Sequence, residues 1–337
     1  MSALLSDTWS TAAVAGRIAG HFDGAPSTGA LDAFESRLLA SADWITNHLE
    51  CFRANFGAEP GELDVKALGE LALTYAWIHR LRGRLGPISV PIDAGLDRWR
   101  AFLAQECEKA MFAELPRKRP AQGCFLLFAY LCLRSTGYRW SYHEETLRRM
   151  HLRGYPHASE ALPYRELDRQ YMFWMSGWLE REPPWHRLYR RTCVGRTRAP
   201  LYLDYVSAYS VTHTIFYLTD FGHRRPAFAE KESVRVRDVV EYLLIHYWRL
   251  GNWDLVGELL INLECLEATD SCIYAECSTA FQAVWLSDGA VVGDAAGQSA
   301  PPHAHSLSGG AAQFKCYYHT TLVGALYCAV VLSRARS

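Results

Sequence analysis

The sequence predicts an all-α protein, and three observations lead to this class. Apolar residues recur at steps of three and four along most of the chain, as on the buried face of a helix. The alternating pattern of half-buried strands is nearly absent. Turns rich in Gly and Pro separate the helical stretches, and one of them, RLGN at 249–252, is short enough to require an antiparallel helical hairpin.

The first predicted helix follows an apolar stripe from Leu31 to Leu49. Further stripes predict helices at 64–83, 92–114, 122–135, 165–180, 202–221, 235–250, 253–267, 271–287 and 313–333. Consecutive helices are expected to pair, namely 165–180 with 202–221, 235–250 with 253–267, and 271–287 with 313–333.

The predicted architecture is an α/α toroid, in which helical hairpins in two layers surround a central cavity. An open α-solenoid is the alternative. We expect one domain at 29–337, preceded by a flexible arm or a lone helix at 1–28. A Gly- and Ala-rich insertion at about 287–313 is too long for a plain hairpin turn and predicts a lid or a disordered loop.

Composition excludes several classes of partner. The chain has 337 residues, 50% of them apolar, and its formal net charge is −1, which argues against a nucleic acid or membrane-surface partner. The N-terminus has no basic segment before its apolar stretch, and the strongest apolar runs are short or interrupted, so we expect a cytoplasmic protein without a spanning helix. The sequence leaves open whether the chain forms a homodimer.

Two His-Thr dipeptides are the main clue to function. His213-Thr214 and His319-Thr320 each lie inside a long apolar helix, and aligning them makes the apolar runs that follow coincide. We expect these helices side by side in the inner layer, with both imidazoles facing one cavity as general acid, general base or ligands. Alternatively, each is a core histidine hydrogen-bonded to a tyrosine hydroxyl.

Other polar groups near His213 complete the predicted catalytic and binding set. Tyr217 and Asp220 are the catalytic candidates on the same helix, although a salt bridge from Asp220 to Arg224 or Arg225 is the expected alternative. Substrate contacts are predicted from Tyr209 and Thr214 on this helix.

A basic segment adds two more candidate binding residues. Residues 148–198 contain eleven Arg against five acids, and much of this charge lies in the loop WHRLYRRTCVGRTR. Arg190 and Arg191 are predicted to attract an anionic group of the substrate, such as phosphate or carboxylate.

Asp270 and Cys272 open a further helix and form a candidate metal site. A helix N-terminus favours the thiolate that a metal requires, so these residues and His319 could bind zinc, although helix capping explains Asp270 without a metal. This spacing, DSC at 270–272 followed by YHT at 318–320, resembles the zinc-ligand pattern of protein prenyltransferase β-subunits. The resemblance implies an α/α toroid with zinc or another transition metal.

The segment YSVTHTIFYLTDFG at 209–222 is similar to uncharacterised actinobacterial proteins encoded near specialised-metabolite genes. We therefore predict an enzyme of natural-product metabolism that acts on a small or carrier-bound organic substrate in the central cavity, by histidine acid/base or metal-assisted chemistry. The alternative is a non-catalytic helical-repeat protein that binds a protein partner or a small molecule.

Overall fold

The structure is a computed structural model that describes residues 28–56, 63–155, 158, 160–197, 199–226, 228–293 and 310–337. The α-helices are α1 Thr28–Asn47, α2 Lys66–Leu81, α3 Ser89–Glu108, α4 Ala110–Lys118, α5 Gly123–Leu126, α6 Phe128–Ser135, α7 Ser141–Leu152, α8 Pro163–Met175, α9 Trp185–Tyr189, α10 Cys193–Arg196, α11 Tyr205–Leu218, α12 Glu230–Arg249, α13 Trp253–Cys265, α14 Cys272–Gln282 and α15 Gly310–Ala335. One short antiparallel pair, β1 Asn55–Phe56 and β2 Leu63–Asp64, lies between α1 and α2.

The predicted all-α class is confirmed, and most predicted helices are present within a few residues of their expected bounds. Helix α7 has no counterpart in the prediction. Its buried face combines Leu147 and Met150 with the polar residues His143 and Thr146, so the apolar stripe that would have revealed it is broken.

Helix contacts close a circuit. Helix α2 packs against α6, α6 against α8, α8 against α11, α11 against α13, α13 against α15, and α15 again against α2. Five further helices each pack against at least one helix of the circuit without being part of it, namely α1, α3, α9, α12 and α14. The circuit favours the toroid over the open solenoid, because the first and last helices of a solenoid do not meet.

Aromatic side chains cross the interior of the circuit at one end. Trp77 on α2 stacks on Phe221, which follows α11, with ring centroids 4.2 Å apart. Tyr171 on α8 stacks on Tyr217 of α11 at 4.9 Å. The Trp77–Phe221 contact joins α2 to the end of α11, which are not neighbours in the circuit, so this part of the expected central cavity is filled by packed rings.

Two of the predicted hairpin pairs are present, and the third is different. Helix α8 packs against α11, and α12 packs against α13 across the RLGN turn, in which Gly251 has a φ of 67°. Helix α14 packs against α12 and α13, whereas α15 packs against α1, α2 and α13. The third pair is present only as side-chain contacts, such as the hydrogen bond that the Tyr327 hydroxyl donates to Ser278 Oγ at 2.8 Å, because α15 packs chiefly against the start of the chain and closes the circuit.

The predicted insertion at 287–313 is partly ordered structure. Gly289 lies against α1, where Ser41 Oγ donates to its carbonyl at 2.9 Å, and the Val291 amide donates to Thr321 Oγ1 on α15 at 2.9 Å. Residues 310–313 belong to α15, and the remainder, 294–309, lies outside the described residues, as does the predicted arm at 1–27.

Helix α15 is long and apolar enough to cross a membrane over Gln313–Ala335. However, 78% of its most apolar window is buried inside the fold, as in the core helix of a soluble protein. Its apolar character is therefore explained by packing.

Candidate metal centre

Helix α13 presents two carboxylates on one face. Asp254 and Glu258 are four residues apart, so their side chains lie one turn from each other on the same side of the helix. The helix begins at Asn252, whose Oδ1 accepts a hydrogen bond from the Leu255 amide at 3.0 Å. This cap fixes the first turn, which contains Asp254.

Gly257 lets α13 approach α15 closely. A Cβ atom at this position would lie 2.6 Å from Val323 Cγ1 and 2.7 Å from a ring carbon of Phe281. Because Gly257 lies between Asp254 and Glu258 in the chain, this contact holds their backbone against α15, where His319 lies one turn before Val323.

His319 is surrounded by carboxylates from two helices. Its Nδ1 atom lies 3.0 Å from Glu70 Oε2 on α2, and its Nε2 atom lies 3.0 Å from Asp254 Oδ1 and 3.7 Å from Glu258 Oε1. His213 on α11 joins from the other side, with Nε2 3.9 Å from the same Glu258 oxygen. Four helices thus meet at one cluster of three carboxylates and two imidazoles.

Each carboxylate has its second oxygen held by another side chain. The Tyr209 hydroxyl donates to Asp254 Oδ2, and Thr212 Oγ1 donates to Glu258 Oε2 at 2.5 Å. Glu70 Oε1 faces Lys66 Nζ at 3.6 Å. The other oxygen of each group therefore remains directed at the imidazoles, an arrangement typical of outer groups that orient metal ligands.

The charges in the cluster depend strongly on one another. Burial opposes ionisation of Glu258, but its contacts with His213 and His319 dominate and hold the pKa of this carboxyl well below its usual value. Burial also opposes charge on His319, yet the neighbouring Asp254 and Glu70 raise the pKa of its imidazole well above the usual value. In the absence of a metal, His319 is therefore an imidazolium held between anions.

The cluster is open to solvent on the imidazole side. The side chains of His213 and His319 are 27% and 26% exposed, whereas that of Glu258 is 5% exposed. Lys66, 65% exposed, lies at the outer edge. The two imidazoles and Glu70, 22% exposed, are therefore partly accessible, whereas Glu258 is buried beneath them.

Asp254, Glu258 and His319 can hold one metal ion, since one ligand atom from each lies within 4.8 Å of the others. With metal–ligand bonds of about 2.1 Å, ligand atoms in tetrahedral or octahedral sites are about 3.0–3.4 Å apart. The Nε2–Oδ1 separation of 3.0 Å already fits, and the 3.7 Å contact between His319 Nε2 and Glu258 Oε1 needs only a small closure. His213 is not part of this three-residue group and would have to move closer to join it.

The structure brings His213 and His319 together, but not on adjacent helices. Helix α13 packs against both α11 and α15, and Glu258 is the group that both imidazoles approach. The expectation that the two His-Thr helices lie side by side is corrected accordingly. Tyr209 joins the cluster through Asp254.

The other predicted residues of α11 are buried beside the cluster. Tyr217 is 4% exposed and lies next to His213, with ring centroids 6.0 Å apart. Burial raises the pKa of its hydroxyl well above the usual value, and so does the nearby Asp168 carboxylate. Thr214 is fully buried, and its hydroxyl has no hydrogen-bond partner in the described part of the chain.

Asp220 lies outside the cluster and pairs with a different arginine from the two predicted. Arg80 binds it with two hydrogen bonds, of 2.9 Å and 2.7 Å, and the Tyr171 hydroxyl donates to it at 2.7 Å. Arg224 instead pairs with Glu182, and Arg225 pairs with Glu267. Asp220 has a left-handed φ of 48°, which turns its side chain into the interior, where Arg80 reaches it from α2.

Asp270 and Cys272 do not join His319. Asp270 Oδ1 pairs with Arg237 Nη2 at 2.8 Å, its side chain is 74% exposed, and Cys272 is exposed. Ser271 caps α14 by accepting from the Tyr274 amide at 3.1 Å. Helix α14 packs on α12 and α13 and directs its N-terminus to the surface, so Asp270 and Cys272 are not in a position to share an ion with His319, which lies beside Asp254 and Glu258 instead.

Arg190 and Arg191 are both exposed and lie outside the cluster. Arg190 lines a separate surface cavity, and Arg191 is not among the residues that line it.

Sequence reasoning missed Glu70, Asp254 and Glu258. A signal was present in WDLVGELLINLEC, because Asp254, Glu258 and Asn262 recur every four residues on a helix whose other residues, apart from Glu264, are apolar or Gly. Polar side chains that form one stripe along a buried helix are directed at partners on neighbouring helices rather than at solvent. Glu70 has no such companion and is identified only by its contact with His319.

The fold and the cluster define an all-α protein with a carboxylate and imidazole site where four helices meet. The chain matches the family described as a domain of unknown function, DUF6895, over residues 38–329, and it belongs to that family. The matched range includes every residue of the cluster. Comparisons with curated proteins and with solved structures gave no match.

Proposed function

We propose that this chain is a metal-dependent enzyme whose divalent transition-metal ion is bound by His319 Nε2, Asp254 Oδ1 and Glu258 Oε1, with His213 Nε2 as a fourth ligand. The supporting observation is that ligand atoms of Asp254, Glu258 and His319, from α13 and α15, lie within 4.8 Å of one another, with His213 Nε2 on α11 3.9 Å from Glu258 Oε1. Nitrogen and oxygen ligands without thiolate suit zinc, iron(II), manganese and related ions.

The contact between Asp254 and His319 is consistent with a metal bound by both residues. Asp254 Oδ1 lies 3.0 Å from His319 Nε2, but without hydrogen-bond alignment, and this buried oxygen has no hydrogen-bond donor among the described residues. A buried carboxylate oxygen without a donor is costly. An ion between the two atoms would satisfy both.

Glu70 has the role of a second carboxylate behind a metal-bound imidazole. By accepting the Nδ1 proton of His319 at 3.0 Å, it leaves the Nε2 lone pair for the metal. Three carboxylates and Lys66 leave a formal charge of −2 when both imidazoles are neutral, and a divalent cation cancels it.

The metal would act as a Lewis acid or activate a bound water, in chemistry carried out on a small or carrier-bound organic substrate. The chain itself orients the ligands through Tyr209 and Thr212 and exposes the imidazole side to the substrate. A place in natural-product metabolism is part of this proposal.

Elemental analysis of untagged protein purified without chelator tests the metal. The wild type should contain about one divalent ion per chain, and Asp254→Asn and His319→Ala should lose most of it while keeping a helical circular dichroism spectrum. His246→Ala, which removes an exposed imidazole from α12, is the matched control and should keep the metal.

Cobalt substitution gives a second readout, because the visible absorption of Co²⁺ reports its ligands and geometry. Wild-type protein that takes up neither the native ion nor Co²⁺ would contradict the proposal. In that case the cluster is an ion-paired structural element, and His319→Ala should then cost about 3–5 kcal/mol of stability by leaving buried carboxylates unpaired.

A further inference from the structure

A second concave site lies between α9, α10 and the start of α12. It is a cavity of about 540 Å³, within the range of small-molecule pockets. None of its described lining residues belongs to the cluster of carboxylates and imidazoles around His319. The lining consists of His186, Tyr189, Arg190, Gly195, Arg196, Thr197, Phe228, Ala229, Glu232 and Arg235.

Three guanidinium groups of described residues line the cavity, and that of Arg235 is already hydrogen-bonded to other groups of the protein. Arg235 pairs with Glu232 at 2.6 Å, donates to the Tyr189 hydroxyl at 2.7 Å and donates to the Thr197 carbonyl at 2.6 Å. Glu232, the acid in the lining, also accepts from the Tyr189 hydroxyl. These bonds neutralise Glu232 and hold the wall of the cavity in place.

The other two guanidiniums form no ion pair within 4.0 Å among the described residues. The pKa of the Glu232 carboxyl is lowered by its hydrogen bond with Arg235 and, to a smaller extent, by the charge of the nearby Arg190. Arg190 and Arg196 are exposed and form no ion pair with any described residue, although Arg196 Nε donates to the Thr192 carbonyl at 3.3 Å. Two positive charges therefore face a concave surface whose acid is already paired. An oxyanion is the ligand that such a pair of guanidiniums recognises.

One wall of the cavity is aromatic and rigid. The rings of Tyr189 and Phe228 pack with centroids 5.0 Å apart. Gly195 lies directly on the backbone of α9, where a Cβ would be 2.2 Å from the Tyr189 carbonyl oxygen. The side chains of Arg190 and Arg196 are thus carried by two segments in fixed contact, beside an apolar surface.

We propose that this cavity binds a small organic anion, with its phosphate or carboxylate on Arg190 and Arg196 and a planar apolar body against Tyr189 and Phe228. The cavity is a ligand site separate from the metal centre. It does not depend on the proposed enzymatic function.

Isothermal titration calorimetry with phenyl phosphate and with benzoate tests the site on the full chain. Wild type should bind at least one of them saturably and more tightly than phenol, with affinity that falls as NaCl is raised. Arg190→Gln and Arg196→Gln should each weaken binding by about tenfold or more, since each removes a charge-assisted contact. The tighter of the two probes identifies the anionic group.

Arg191→Gln is the matched control, because Arg191 is a neighbouring exposed arginine that does not line the cavity. It should bind the probe like the wild type. The proposal is overturned if neither anion binds saturably, if Arg190→Gln and Arg196→Gln bind normally, or if Arg191→Gln weakens binding equally. Binding should persist after chelator treatment, so loss of the metal and failure of this site are distinguishable.

Discussion

At the scale of single residues, the cluster around His319 lowers the free energy of unfolding, because it buries charge. Glu258 is 5% exposed, and moving a carboxylate out of water costs several kcal/mol unless partners compensate. Three carboxylates close together also repel one another. A histidine that only fills space needs one hydroxyl partner, so this concentration of charge favours a functional role over a packing role.

His143 is the opposite case, a buried imidazole kept neutral. It lies against the rings of Tyr130 and Trp140, its Nε2 contacts the Cys107 carbonyl at 3.1 Å, and its Nδ1 has no hydrogen-bond partner among the described residues. Burial lowers the pKa of this imidazole to about 4. The folded chain therefore resists protonation of a group that an unfolded chain protonates near pH 6.5.

We predict that His143 makes the protein less stable as the pH falls from about 6.5 to about 4. Between these values the unfolded state binds the proton and the folded state does not, so unfolding is favoured by up to about 3 kcal/mol. Denaturant unfolding of wild type and His143→Leu at several pH values measures the effect. The variant should lose this part of the pH dependence, and identical profiles would refute the assignment.

At the scale of elements, the site depends on how closely two helices approach. Helices α13 and α15 meet at Gly257, and the carboxylates on one helix reach His319 on the other because no side chain separates them there. The close approach, rather than the presence of the helices, places the ligand atoms.

Gly257→Ala should destabilise the fold and reduce metal occupancy together. The added methyl meets a β-branched side chain and an aromatic ring, and overpacking of this kind costs about 1–3 kcal/mol, which exceeds the gain of about 1 kcal/mol from replacing a helical glycine. Thermal melts and elemental analysis measure both effects.

Gly95 on α3 supplies the control for this substitution. A Cβ there would meet only Thr46 Oγ1, at 3.7 Å, which is an ordinary contact. Gly95→Ala should therefore be neutral or stabilising by up to about 1 kcal/mol and should leave the metal content unchanged. If both alanine variants behave alike, the close approach at Gly257 is not what positions the site.

At the scale of the whole molecule, the closed circuit of helices determines which residues meet. Helix α15 returns to α2, so Glu70 and His319 come into contact although 249 residues separate them in the chain. An open solenoid would keep these ends apart and would leave His319 without Glu70. The contact of Glu70 with His319 therefore depends on closure of the circuit.

Closure predicts a compact particle in solution. A globular chain of this length has a radius of gyration of about 20 Å, and an open solenoid is clearly elongated. Small-angle X-ray scattering on the monomeric peak of a sizing column should give a value near the compact estimate. A radius above about 25 Å with an elongated distance distribution would favour the solenoid.

The amino-acid sequence by itself determined most of the helices, with α7 as an exception, because their periodicity is local and is visible without knowledge of any partner. It also identified His213 and His319 as a matched pair, since their repeated context is visible along the chain. Local capping chemistry at Asn252 and the RLGN turn was readable in the same way.

Only the tertiary structure decided which groups surround those imidazoles. Asp254 and Glu258 look like ordinary helix charges until α13 is found between α11 and α15, and Asp270 looks like a ligand until its pairing with Arg237 is seen. A side chain's chemistry depends on what packs against it from distant parts of the chain. Periodicity reports which face of a helix is buried, but not which helix buries it.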